Sequence, residues 1–278
     1  MAEQLDWMRL GGVDGERRSH VDIAVPSAAR LYDYLLGGAH NFAVDRALAK
    51  RFLSVQSNAK TVARHNRDFL RRAVLFMIDQ GIRQFLDLGS GIPTVGNVHE
   101  VAQQAIPGAR VVYVDYEDIA VEHSRLMLRD NEHAAIVRAD LTRPVDVLGA
   151  VDTRRLLDFD QPIGLLMVGV FHFVFPDKDP GGIVRRYRDA MVPGSQLAIS
   201  HFTSDLMPVE MAGVIEVMKN SRDPIHPRSR EEIVELFTGF DIHDPGVVPT
   251  PLWRSHGPLA PADRPERATV LAGVGRKR

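Results

Sequence analysis

The chain has 278 residues, 45% of them hydrophobic and 25% charged, with a formal net charge of −2. That length holds one large α/β domain with an appendage or two small domains, and the near-neutral balance creates no global field towards nucleic acid or an anionic membrane. Cysteine is absent, which excludes disulfides, thiolate metal sites and a cysteine nucleophile. The longest apolar run, 163–175, is too short to span a bilayer and contains His172. The first residues lack an apolar signal core, so a soluble cytoplasmic protein is the expectation. No His, Asp and Glu cluster has metal-ligand spacing, and there is no G-x-S-x-G elbow.

In chain order, residues 1–25 are polar and aperiodic and read as a flexible arm. Ser27 is suited to cap a first helix. Leu31, Tyr34 and Leu35 share one face of it, Arg30, Asp33 and Gly37 another, and Gly37-Gly38 ends it. Further helices are predicted over 41–52 and 58–80. The last carries Val62, Phe69, Leu70, Ala73, Val74, Met77 and Ile78 at helical spacing, with Asn66 on the same line. A buried amide needs a partner, so Asn66 is either a satisfied core residue or a group that reaches a ligand.

From Gln84 the chain alternates strand and helix. Strands are predicted at 85–86, ending about Asp87, and over 110–114, 134–139, 162–168, 195–200, 240–243 and 268–274. Helices are expected near 118–130, 181–191, 207–219 and 229–237, and the proline-rich stretch 245–265 reads as a connection to the last strand. Such alternation implies a parallel sheet with helices on both faces and a ligand beyond the carboxyl ends of its strands.

The stretch 84–97, QFLDLGSGIPTVGN, carries the main signal. A strand ends near Asp87, Gly89-Ser90-Gly91 turns tightly, and Pro93 is suited to a first helical turn. The dinucleotide fingerprint would want Gly or Ala where Thr94 stands. The pattern is instead D-x-G-x-G, and a carboxylate there suits an ammonium better than a pyrophosphate. That favours S-adenosylmethionine over NAD. Asp87, Asp115 and Asp140 fall at three successive strand ends. Asp87 can meet the methionine ammonium, Asp115 the two ribose hydroxyls and Asp140 the adenine amino group. Leu141 can add an apolar contact and Tyr116 can pack on the adenine face. Taken singly, each acid is better read as a loop or cap residue, and the three together are what point to the cofactor.

The segments PSAARLYDYLLGGAHNF, ARHNRDFLRRAV, FLDLGSGIPTVGNVHEVAQ, ARVVYVDYE, GVFHFVFPD and PGVVPTPLW carry a narrower likeness. Over nearly the whole chain it resembles an actinobacterial-type S-adenosyl methyltransferase family, within the class I S-adenosylmethionine-dependent methyltransferases. The resemblance implies an α/β, Rossmann-like, seven-stranded and mostly parallel sheet with an antiparallel last strand. It also implies a helical cover over 26–82, a cofactor-binding domain over 83–278, and cofactor at the DLGSG loop. Tyr116 departs from the Asn expected after Asp115.

Methyl transfer from a sulfonium asks the protein mainly to position its partners and exclude water. The acceptor is expected to be a small molecule. If it carries a proton, candidate bases are His172, His201, Tyr32 and Asp33, and His172 among phenylalanines is the one chosen. The expected cofactor contacts are Tyr32, Asn66, Asp87, Gly89, Ser90, Gly91, Asp115, Tyr116, Asp140, Leu141, Val170 and Phe171. Two alternatives stay open: a non-catalytic S-adenosylmethionine binder or sensor, and an NAD-dependent oxidoreductase, which Thr94 and Asp140 disfavour.

Overall fold

The computed structural model describes residues 24–94, 96–255, 257 and 264–278. The arm expected over 1–25 lies almost wholly outside the described residues. Helix α1 (Ala28–Leu35) starts where expected: Ser27 is extended and its side chain accepts from the Arg30 N–H. Gly37, at φ +86°, turns the chain out of it. Helices α2 (Ala43–Val55) and α3 (Ala59–Asp79) follow. On α3 the buried line runs through Val62, Asn66, Phe69, Leu70, Ala73, Val74, Met77 and Ile78, as the spacing predicts.

Strands β1 (Gln84–Leu88), β2 (Arg110–Asp115), β3 (Ala134–Arg138), β4 (Gly164–Val168) and β5 (Gln196–Phe202) are parallel. Strands β6 (Phe240–Ile242), β7 (Val248–Pro249) and β8 (Val270–Lys277) close the sheet. The order is β3-β2-β1-β4-β5-β8-β6, with β8 antiparallel to β5. The seven expected strands form this path. An eighth, the two-residue β7, lies inside the proline-rich connection and pairs with β8 at Ala272 and Leu271. It shares with β6 the outer edge of β8, where β6 takes Gly275, Arg276 and Lys277.

The helices between are α4 (Val98–Ala105), α5 (Asp118–Leu128), α6 (Pro144–Gly149), α7 (Val151–Leu156), α8 (Pro180–Asp189), α9 (Pro208–Met218) and α10 (Arg230–Glu235). Pro93 does not open α4, contrary to the sequence reading. Gly96 sits at φ +79° and Asn97 is extended, so the helix begins at Val98. The Glu100 carboxylate accepts from the N–H groups of Gly96 and Asn97, satisfying donors that a helix start leaves open.

Alternation along the strands sorts the core into two layers. Leu86, Leu88, Val112, Val114, Leu165 and Met167 face α8 through Ile183, Val184 and Tyr187. Phe85, Val111, Tyr113 and Leu166 face α3 and α4. A third cluster sits off the sheet and joins α1 and α2 to α9, through Leu31, Leu48 and Phe52 against Met211 and Val214. The chain leaves β1 towards β2 and β3, then returns to β4 on the other side of β1. This reversal opens the crevice in which such sheets bind ligands.

Gly164 tests how tightly the α3 layer is packed. A Cβ there would lie 2.6 Å from Phe85 Cδ1 and 3.1 Å from the Met77 sulfur. Gly164→Ala is therefore expected to destabilise the protein by about 1–3 kcal/mol through overpacking, read as a lower urea midpoint at unchanged slope.

Candidate functional site

The turn after β1 is built by Gly89 and Gly91, at φ +72° and +66°, values that favour glycine over residues with a side chain. It is tied to the neighbouring strand, because the N–H groups of Gly89 and Ser90 both donate to the Val114 carbonyl, at 2.8 and 3.1 Å. Asp115, at the end of β2, completes the tie. Its Oδ2 accepts from the Gly91 N–H at 2.8 Å and its Oδ1 from the Glu117 N–H at 2.9 Å. A Cβ on Gly89 would come within 2.2 Å of Val170 Cγ2, so the loop after β4 packs directly on this turn.

These loops floor a cavity that α1, α2 and α3 cover. Of the twelve expected cofactor contacts and the chosen base, eleven line it: Tyr32, Asn66, Asp87, Gly89, Ser90, Gly91, Asp115, Tyr116, Leu141, Val170 and His172. Phe171 does not; it is fully buried in the main core beneath. Asp140 does not either. It is exposed, and its Oδ1 accepts from the Thr142 N–H and hydroxyl at 2.8 and 2.7 Å, a local turn bond.

Asp87 is buried, and burial pushes its carboxyl up to about 7; the Arg67 charge works against this and Asp115 adds to it. Burial also raises Asp115, opposed by the backbone N–H groups that it accepts. Asn66 is a satisfied buried amide that also borders the cavity. Its Oδ1 accepts from the Ser200 hydroxyl at 2.6 Å and its Nδ2 donates to the Tyr32 hydroxyl at 3.2 Å, while the residue lines the cavity. Gly169 permits this closeness, since a Cβ there would lie 2.9 Å from Asn66 Nδ2. The Tyr32 hydroxyl in turn donates to the Ala63 carbonyl at 3.1 Å.

His172 is 4% exposed, and its Nδ1 has no hydrogen-bond partner among the described residues. Its ring lies 4.4 Å from those of Phe173 and Phe202 and 5.6 Å from that of His201. Burial, then His201 and Arg228, hold it well below the usual imidazole range. His201, the second histidine candidate, is a structural group outside the cavity lining. Its Nδ1 lies 2.7 Å from the Phe202 carbonyl and its Nε2 lies 2.7 Å from Arg228 Nη1. The ring therefore donates to the first and accepts from the second. Arg228 also donates to the carbonyls of Phe171 and Val174. Asp33 likewise stays off the cavity. It is buried and accepts from the His40 N–H and the Asn41 amide, bracing the Gly38 turn.

Four lining or adjoining residues escaped the sequence reading. Arg67 follows Asn66 on the cavity face of α3, the face that also presents Val62, Ala63 and Leu70. That stripe was the available signal. Glu117, Asp223 and Arg30 meet only in three dimensions. Arg30 is fully buried and pairs with Asp45 at 2.8 Å and with Glu117 at 2.9 Å. The Ser27 hydroxyl lies 2.7 and 2.9 Å from the two Glu117 oxygens. Asp223 accepts from the Ala28 N–H at 2.7 Å and from the Tyr116 hydroxyl. The start of α1 is thus fastened to the loop after β2. Burial raises Glu117 to about 7, with Ser27 and Arg30 opposing.

Does the site suit a cofactor with an ammonium, a ribose and an uncharged base? Buried carboxyls at Asp87 and Asp115 border the cavity, and the Ser90 hydroxyl is buried with no partner among the described residues. A Cβ on Gly91 would meet nothing within 4 Å, so the turn presents bare backbone. This donor and acceptor set fits S-adenosylmethionine. No group of His, Asp and Glu among the described residues could hold a metal ion. No helix among them is long and apolar enough to cross a membrane.

Sheet order, glycine turn and strand-end acids together define a Rossmann-like, S-adenosylmethionine-dependent methyltransferase. The family model for S-adenosyl methyltransferases matches residues 14–278, and the chain belongs to that family. It is similar to a DUF574 family protein from Streptomyces avermitilis, at 34% identity and TM-score 0.90, over 93% of this chain and 100% of that one. It is also similar to a proposed methyltransferase from Thermobifida fusca, at 39% identity and TM-score 0.88, over 95% and 100%. No curated protein matches the chain at a significant level.

Removing the Arg30 cation would leave Asp45 and Glu117 buried without it. Arg30→Met is expected to cost about 3–5 kcal/mol, and more at pH 8 than at pH 6. Glu117 is raised in the folded state, so below about 7 it is largely protonated and tolerates the loss. Above 7 the variant must either bury a bare charge or take up a proton to fold. Urea unfolding at the two pH values measures the difference.

Proposed function

We propose that this methyltransferase acts on a small, largely apolar acceptor held under α1–α3, with His172 receiving the acceptor's proton. The observation that carries this reading is the division of one cavity into two chemistries. Its floor is polar, with Asp87, Ser90 and Asp115, whereas its far wall is Leu31, Leu35, Phe52, Phe202, Met218 and Val270. A charged or extended polymeric acceptor would find no matching groups on that wall.

The cofactor supplies an activated methyl group on a sulfonium, already a good leaving group. The chain's own work is positional. Asp87 faces the ammonium, and its carboxyl ionises readily once that charge arrives. Asp115 offers its remaining lone pairs to the ribose hydroxyls while the backbone bonds to Gly91 and Glu117 fix its orientation. The three cover helices exclude water, which strengthens these contacts. Nδ1 of His172 is buried and unpaired among the described residues, and in the tautomer protonated on Nε2 it is an acceptor. Its depressed basicity keeps the ring neutral at physiological pH, free to take a hydrogen bond and then a proton from an acceptor hydroxyl or amine. Burial, His201 and Arg228 disfavour the imidazolium, so the ring gives the proton up to solvent when the methylated product leaves.

Asp115→Ala should remove two charge-assisted hydrogen bonds and cost about 2–4 kcal/mol of S-adenosylmethionine binding. Titration calorimetry on the folded variant checks this, and unchanged affinity would show the ribose assignment to be wrong. His172→Ala should lower turnover roughly 100-fold while cofactor affinity stays within a few-fold. The paired measurement is melting temperature and single-turnover transfer on one variant. Normal transfer by a destabilised protein would assign the ring to packing alone.

A further inference from the structure

Gln56 is the residue immediately after α2, and nothing in the sequence marks it out. Its main chain ends the helix, donating to the Phe52 carbonyl at 2.9 Å. Its side chain is 1% exposed, borders the apolar wall of the cavity, and donates through Nε2 to the Thr269 hydroxyl at 2.7 Å. The Oε1 atom is buried with no hydrogen-bond partner among the described residues. Buried carbonyl oxygens are normally paired, so an orphan on a cavity wall points to a donor that arrives from outside the chain. Thr269 precedes Val270, which pairs across the sheet with Phe202, whose ring touches that of His172. The cavity lining therefore carries two buried polar atoms unpaired among the described residues, Gln56 Oε1 and His172 Nδ1, set among apolar side chains.

We propose that Gln56 recognises the methyl acceptor through Oε1, and that the acceptor class is an apolar ring compound bearing a hydroxyl or N–H donor beside an otherwise unsubstituted hydrophobic face. This rests on the reading of the apolar wall as the acceptor site. The reason for the donor is one of exclusion as much as attraction. A ligand without one leaves Oε1 buried and unpaired, so discrimination exceeds what the apolar wall alone would give. A second polar group could meet His172 Nδ1, and one placed elsewhere would be buried against Leu35 or Met218 without a partner.

The test uses the full chain and two matched probe pairs: 2-naphthol against 2-methoxynaphthalene, and indole against 1-methylindole. Each pair differs by replacing the donor hydrogen with a methyl group. Binding is followed by calorimetry and by the Gln56 side-chain amide signals in nitrogen-edited NMR. The donor members are expected to bind at least tenfold more tightly and to shift the Gln56 amide. In Gln56→Leu the preference should vanish or invert, because the leucine removes the acceptor and leaves an apolar surface. Equal binding within each pair, binding of neither member, or donor binding that leaves the Gln56 amide unmoved would each overturn the proposal. The wild-type comparison holds even if the variant fails to fold. S-adenosylmethionine affinity is measured on the same sample. Its absence with donor preference intact would overturn the methyltransferase reading of the cavity instead, and leave Gln56 as the recognising group.

Discussion

The Asp115 carboxylate joins the two loops on which the site depends. A parallel sheet ends in backbone groups that its strands can no longer pair, and those beyond β1 and β2 are close neighbours. Asp115 accepts from one N–H on each side, Gly91 and Glu117. Without that bridge the glycine turn would keep, among the described residues, its backbone bonds to Val114. The same carboxylate is then already oriented when a ligand arrives, and little ordering remains to be done on binding. Its burial is costly, and the site tolerates it because the backbone donors replace water.

What was legible in the sequence follows the range over which each signal acts. Periodicity placed the strands and α3 because apolar spacing is local, and the strand-end acids of β1 and β2 follow from strand position. Ser27 was readable as a cap for the same reason. The register of β7 was not, since two residues carry no period and its pairing with β8 is set by the fold. Pro93 misled because its fixed φ suits a helix start, while Gly96 and the Glu100 carboxylate moved that start to Val98. Asp140 follows its strand like the other two acids, yet a short bond to Thr142 turns its carboxylate aside. The Arg30, Glu117 and Asp223 contacts span up to 195 positions and had no local trace.

The histidines show how environment separates two residues of one type. His172 and His201 are both buried and both held below the ordinary imidazole range. His201 spends both ring nitrogens on fixed partners, whereas His172 keeps one unspent on a cavity wall. Arg228, bedded in carbonyls and with Glu232 as its charged neighbour, places a positive charge behind both rings. It thereby biases the wall towards neutral or electron-rich ligands.

The fastening of α1 has a further bearing on how molecules enter and leave. Ser27, Ala28 and Arg30, all within one helical turn, are bound to Glu117, Asp223 and Asp45. Lifting α1 hydrates all of these groups together, and none can be released without loosening the others. Any traffic that needs α1 to lift would then require a cooperative local unfolding. Residence times of molecules leaving by that route would scale with the strength of the Arg30 salt bridges that hold α1.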